Sequence, residues 1–160
     1  MKTAIVFYSM SGNVKQTAEI IAQMVQADLI EISPVKAFPD KGFKKFFWGG
    51  KSAVMGEKPV LQSYEFKSEE YDSVIIGSPV WASNIAPPVR TFVEENKTAL
   101  SGKKISAFTC MSGSGGDKAL NKLKTLLGIS DYTAEMVLID PKDKPTDEND
   151  KKISEFCDNL

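Results

Sequence analysis

Three short stretches of this 160-residue chain carry the polar groups and glycines that chemistry needs. Ser9-Met10-Ser11-Gly12-Asn13 gathers two hydroxyls, an amide and a run of backbone N–H groups just ahead of a helical pattern. Helix N-termini attract anions through free N–H groups and the helix dipole, so such a loop can hold a phosphate without a paired cation. The same residue types also make an ordinary helix cap, and spacing alone does not separate the two uses. Ser78 to Pro87 contains Trp81, an aromatic plane in a loop where core packing does not require one. A lid over the sheet edge would use it equally. Met111-Ser112-Gly113-Ser114-Gly115-Gly116 is the third stretch. An anion loop and an exposed aromatic plane together suit a flat, phosphorylated aromatic ligand.

What is missing narrows the chemistry further. The chain has no histidine, which excludes Ser-His-Asp and Cys-His catalysis, His-ligated zinc and haem, and a His proton shuttle. Cys110 and Cys157 are too few for a disulfide framework and too far apart for a CxxC pair or an iron–sulfur cluster. A phosphate-binding NTPase loop needs GxxxxGK[ST]; Gly50-Lys51-Ser52 supplies the tail, but Lys45 holds the leading position. A GxGxxG fingerprint beginning at Gly113 ends on Lys118, and GxSxG fails at both Ser112 and Ser114. A Cys-x5-Arg phosphatase loop would need arginine where Gly116 stands, and a receiver domain would need acids where Ser9-Met10 and Gly77-Ser78 stand.

The elements that must position these loops read as strands alternating with helices. Ala4 to Tyr8 is a continuous apolar run, the mark of a strand buried on both faces. Val14, Ala18, Ile21 and Val25 follow at helical spacing. Leu29 to Ile32 predicts a second strand and Val74 to Ile76 a third, punctuated by Gly77-Ser78-Pro79. Pro87-Pro88 opens a helix with Val89, Phe92 and Val93 inward. Ile105 to Cys110 is a fourth strand, and a helix bearing Leu120, Leu123 and Leu127 stops at Gly128. Met136 to Ile139 is a fifth strand; Ile153, Phe156, Cys157 and Leu160 mark a last amphipathic helix. Five strands interleaved with helices imply a parallel sheet covered on both faces, which binds ligands beyond the carboxyl ends of its strands. The three polar stretches follow the first, third and fourth strands.

Composition agrees with one globular domain over residues 1–160: 42% hydrophobic and 26% charged residues. Twenty basic residues against 21 acidic ones give a net charge of −1, so nothing draws the whole chain to nucleic acid or an anionic membrane. The N-terminal apolar stretch is too short for a signal peptide and no run approaches a membrane span. With two isolated cysteines, a reducing cytoplasm is the expected setting.

At this point the motifs resemble a known family. Phe7-Tyr8-Ser9-Met10-Ser11-Gly12-Asn13-Val14 with Thr17-Ala18-Glu19 is similar to the flavodoxin signature. Ile76-Gly77-Ser78-Pro79-Val80-Trp81 and Ala86-Pro87-Pro88-Val89-Arg90-Thr91-Phe92 resemble the second flavin loop of that family, and Phe108 to Asp117 the third. The resemblance implies a single-domain flavodoxin-like α/β three-layer sandwich, a five-stranded parallel sheet of order 2-1-3-4-5, and FMN as cofactor. It also implies electron transport by an FMN-binding flavoprotein, with redox chemistry of one or two electrons carried by the flavin and no catalytic side chain or metal. Carried over by residue, Ser9, Met10, Ser11, Gly12, Asn13 and Val14 would wrap the FMN phosphate. Pro79, Val80, Trp81, Ala82, Ser83 and Asn84 would line the isoalloxazine ring. Cys110, Met111, Ser112, Gly113, Ser114 and Gly115 would meet its pyrimidine edge through backbone groups. Val14 stands where the family usually has threonine, so one hydroxyl contact with the phosphate is missing, worth roughly 1.5–3 kcal/mol at most.

Carriers of this family resemble one another in strong acidity and in a glycine at the flavin-facing turn. This chain is nearly neutral and has no glycine between Pro79 and Pro88, where only Ser83-Asn84 looks able to turn. Both departures favour a two-electron oxidoreductase over a one-electron shuttle. The alternative to a carrier is therefore an NAD(P)H-dependent FMN-containing quinone or small-molecule reductase; a further one is a flavin-free interaction module on the same fold. The expected partners are an electron donor and acceptor, either a redox protein or NAD(P)H and a small molecule.

Val35 to Gln62 is long for a connection and holds Phe38, Phe43, Phe46, Phe47 and Trp48 with six lysines against Asp40 and Glu57. The favoured reading is a helix whose aromatic stripe lies on the sheet edge. A sharper one has Phe47 or Trp48 over the flavin and lysines drawing in an anionic nicotinamide dinucleotide phosphate. Arg90 is expected to pair with Glu94 one turn on. Both cysteines read as packed side chains, and Asp140 to Asp150 as a solvated charged loop.

Overall fold

The structure, a computed structural model, describes residues 2–38 and 58–160. Strand β1 (Thr3–Phe7) leads into helix α1 (Asn13–Val25) and strand β2 (Asp28–Glu31). After a 3-10 turn at Ser68–Glu70 come β3 (Ser73–Trp81), the two-residue β4 (Asn84–Ile85), α2 (Pro87–Glu95) and the single turn α3 (Lys97–Leu100). The chain ends β5 (Lys104–Met111), α4 (Gly116–Leu127), β6 (Glu135–Ile139) and α5 (Asp147–Asp158). The sheet order is β2-β1-β3-β5-β6, all pairs parallel, with β4 folded back antiparallel on β3. Counting only the parallel strands, this is the order 2-1-3-4-5.

Alternation along each strand sends side chains into two cores. Ala4 and Val6 of β1, Val74 and Ile76 of β3, and Ile105 and Ala107 of β5 join Val89, Phe92 and Val93 of α2 and Leu120 and Leu123 of α4 on one face. Ile5, Phe7, Ile75, Phe108 and Cys110 join Val14, Ala18 and Ile21 of α1 and Ile153 and Phe156 of α5 on the other. Strands buried on both faces carry apolar residues at successive positions, which is why their runs are continuous rather than alternating.

One element departs from expectation. The third strand does not stop at Ile76; it runs through Gly77-Ser78-Pro79 to Trp81. Gly77 accepts from the Tyr8 N–H at 3.3 Å, so Pro79, two residues on, faces the same side, where β1 has already ended at Phe7. A proline there forfeits no ladder bond. The turn between β3 and β4 is made by Ala82 and Ser83, both left-handed with φ of 50° and 60°, rather than by Ser83-Asn84. Two positive-φ residues between paired strands match a type I′ turn. Of the aromatic, lysine-rich segment, residues 39–57, including Phe43, Phe46, Phe47 and Trp48, lie outside the described residues. Its two ends are tied together: the Val35 N–H donates to Val60 O at 2.8 Å and the Gln62 N–H to Ser33 O at 2.8 Å.

Candidate functional site

The carboxyl ends of β1, β3, β5 and β6 enclose one cleft. Its walls are Ser9, Met10, Ser11, Asn13, Val14, Pro79, Val80, Trp81, Ala82, Cys110, Met111, Ser112 and Asp140. All but Asp140 belong to the residues singled out from the sequence. Gly12, Ser83, Asn84, Gly113, Ser114 and Gly115 sit in the same loops without lining the cleft.

The first loop turns on Gly12, whose φ of 97° suits glycine. Ser9 Oγ accepts from the N–H groups of Gly12 at 3.2 Å and Lys15 at 3.1 Å, satisfying two donors around the start of α1. Among the described residues no protein acceptor meets the N–H groups of Met10, Ser11, Asn13 or Val14. Four free donors at a helix N-terminus form an anion cradle. The Val14 side chain packs into the core, 1% exposed, so only its backbone is available to a ligand from that core-facing side.

The second wall is aromatic. The Trp81 indole stands edge-on to Tyr8 (centroids 5.8 Å apart, 89°) and to Phe38 (5.2 Å, 79°). Two perpendicular neighbours fix the plane of the indole. Asn84 is turned away from the cleft and braces the turn: its amide donates to Ala82 O at 2.7 Å, and its Oδ1 accepts from Lys122 Nζ at 2.9 Å. Ser78 Oγ accepts from the Ala86 N–H at 2.9 Å and ties the hairpin to the start of α2. A Cβ on Gly115 would come within 2.6 Å of Ser83 Oγ, so a glycine there lets the second and third loops touch.

Beneath the third loop, Cys110 is buried against Thr17 Oγ1, 3.8 Å away, and burial pushes its thiol up to about 12. A thiol held protonated is a packing group, not a nucleophile. Tyr8 is likewise pushed up to about 12 by burial. Neither supplies acid or base near neutral pH.

Two functional features escaped the sequence. Asp140 is buried with a φ of 38°, its carboxylate accepting from Ser112 Oγ at 3.1 Å, which corrects the picture of a wholly solvated loop. The loop after β6 also docks on the first: the Lys142 N–H donates to Asn13 Oδ1 at 2.8 Å, and Asn13 Nδ2 donates to Asp143 Oδ2 at 3.1 Å. The rule that ligands collect beyond strand ends, applied to the fifth parallel strand as well, would have found them. Arg90 does approach Glu94, at 3.8 Å, and takes no part in the cleft.

A doubly wound parallel sheet with a phosphate-type cradle at its first strand end and an aromatic wall beside it defines a class of small nucleotide-type binders. The sequence model of the family described as Flavodoxin matches residues 2–142, and the chain belongs to that family. Among solved structures, the chain is similar to a flavoprotein in complex with FMN from Lactobacillus acidophilus NCFM, with 21% identity, 97% of each chain covered and a TM-score of 0.76. The apo form of the flavoprotein from the same organism gives 23% identity over 91% of this chain and 97% of that one, TM-score 0.66. Oxidised Flavodoxin 1 from Bacillus cereus gives 18% identity over 99% and 96%, TM-score 0.58. At these identities the likeness establishes the flavodoxin-like fold. The cleft's own chemistry fits a phosphorylated flavin: unpartnered N–H donors suit a phosphate, and an indole plane suits an aromatic ring. Among the described residues no cluster of acids and cysteines could hold a metal ion, and no helix is long and apolar enough to cross a membrane.

Proposed function

We propose that this protein binds FMN without a covalent link and passes electrons through it between a donor and an acceptor. The observation that carries the reading is the meeting, in one cleft, of four free N–H donors at the start of α1 with the fixed Trp81 plane. FMN held there supplies the redox chemistry, and the chain binds, orients and shields it. In this reading the loop from Ser9 to Val14 wraps the phosphate, and the free N–H groups of Met10, Ser11, Asn13 and Val14 hold it. Pro79, Val80, Trp81 and Ala82 form the ring's wall, with Ser83 and Asn84 holding the turn's shape. Cys110 to Gly115 offer backbone groups to the ring's polar edge. Two free thiols suit a reducing, cytoplasmic setting.

Titration of the flavin-free chain with FMN, followed by quenching of flavin fluorescence, tests this. Saturable one-to-one binding is expected; a folded chain that leaves flavin fluorescence unchanged overturns it.

A second reading, an NAD(P)H-dependent reductase of a quinone or other small molecule, draws support from the net charge of −1 and the glycine-free Ala82-Ser83 turn. Turnover of the FMN-loaded protein with NAD(P)H and a quinone, with no second protein present, distinguishes it from a carrier.

A further inference from the structure

We propose that Lys142, delivered by the loop after β6, is the cation of the phosphate subsite and makes the chain favour the phosphorylated flavin over its dephosphorylated form. This rests on the FMN reading above. Lys142 lies 131 residues from Ser11 in sequence, yet its Nζ donates to Ser11 O at 3.3 Å. A Cβ built on Gly12 would fall 2.9 Å from that Nζ, so the ammonium sits directly over the glycine of the anion loop.

The position is held from the backbone, not by the lysine's own flexible stem. The Lys142 N–H donates to Asn13 Oδ1 at 2.8 Å, and Asp143 accepts from the other end of the same amide at 3.1 Å. The Lys144 N–H closes the turn onto Asp140 O at 2.7 Å.

The charge is also uncommitted. Among the described residues no carboxylate lies within ion-pair distance of Lys142, while Lys144, two residues on, pairs with Asp140 at 3.4 Å. The flanking acids are occupied elsewhere: Asp140 by Ser112 and Lys144, Asp143 by the Asn13 amide. An unpaired cation at the positive end of α1 is opposed by the helix dipole, and a bound phosphate dianion reverses that opposition. Because the donors at Met10, Ser11, Asn13 and Val14 are backbone groups, Lys142 is, among the described residues, a side-chain charge that this subsite can lose by substitution without altering the cradle.

Wild type, Lys142→Gln and Lys142→Arg are titrated with FMN and with riboflavin at low and high salt, with circular dichroism to establish that each variant is folded. Lys142→Gln is expected to weaken FMN roughly tenfold, the scale of one charge-assisted hydrogen bond at an exposed site, and to flatten its salt dependence. Riboflavin affinity is expected to stay constant, and Lys142→Arg to retain most of the FMN affinity. Unchanged FMN affinity in the Gln variant overturns the assignment, as does an equal loss for riboflavin, which marks a merely structural lysine. A wild-type chain that binds neither flavin overturns the FMN reading itself, a result that the Lys142 variants do not produce.

Discussion

Trp81 is the side chain on which the cleft's shape most depends. Its indole is partly exposed and is clamped in orientation by the edges of Tyr8 and Phe38, so a ligand ring meets a surface already in place. Preorganisation of this kind lowers the ordering cost of binding. Trp81→Ala is expected to weaken FMN by roughly tenfold, the scale of one aromatic contact with its buried area, and to weaken riboflavin by the same factor. That shared loss distinguishes the ring wall from the phosphate subsite, where only FMN responds; fluorescence titration of both flavins reads the difference. At this scale the sequence was informative wherever a residue's neighbours in the chain were also its neighbours in the cleft, as in Ser9 to Asn13. It was silent where the contact spans the fold: nothing local to Lys142 or Asp143 marks them as partners of Asn13, and a run of charges between elements is ordinarily solvated. Phe38, an aromatic of the long connection, meets Trp81, and in the sequence it was one of five aromatics with nothing local to set it apart.

The elements follow closely from their patterns because every parallel strand but the edges is buried on both faces, and apolar runs such as Ala4-Ile5-Val6 have few other uses. The exception was β3, where Gly77-Ser78-Pro79 reads as a break. Glycine and proline interrupt strands by lacking a side chain and a donor, but both defects depend on the neighbours. Proline loses nothing beyond the end of β1, and Gly77 is there because the Phe108 ring fills its side-chain space: a Cβ would lie 2.4 Å from Phe108 Cζ. Phe108 is fully buried and set edge-on against Phe156, so the ring has nowhere to withdraw. Gly77→Ala is therefore expected to destabilise the chain by about 1–3 kcal/mol through overpacking. Urea unfolding should give a lower midpoint at unchanged slope, and adding Phe108→Leu should recover part of the loss, which a general dislike of alanine in this strand would not allow.

For the molecule as a whole, the absence of histidine sets how stability responds to pH. No side chain with an ordinary pKa between about 5 and 8 is present to change charge there, so stability should be nearly flat across that range. On the acid side, the Tyr71 hydroxyl and then Lys2 hold the Asp28 carboxyl below its usual value, but this pair is exposed and adds little. The alkaline side is different. Cys110 and Tyr8 are pushed up to about 12 by burial, and burial also raises Tyr132 and Cys157. In the unfolded chain a thiol releases its proton near 8.5 and a phenol near 10, whereas the fold retains both. Above about pH 8.5 the unfolded state thus binds fewer protons than the folded one, and stability falls as pH rises towards 12. Between about 8.5 and 10 only the thiols contribute to this slope. Cys110, the more deeply buried, accounts there for up to roughly 1.4 kcal/mol per pH unit. Urea midpoints at pH 7, 9 and 10 should decline for the wild type. Cys110→Ala should start lower at pH 7, because of the space it leaves beside Thr17, yet decline less steeply. Equal slopes for the two proteins would mean that the thiol under the third loop ionises in the folded chain, and that this end of the sheet admits more water than its packing implies.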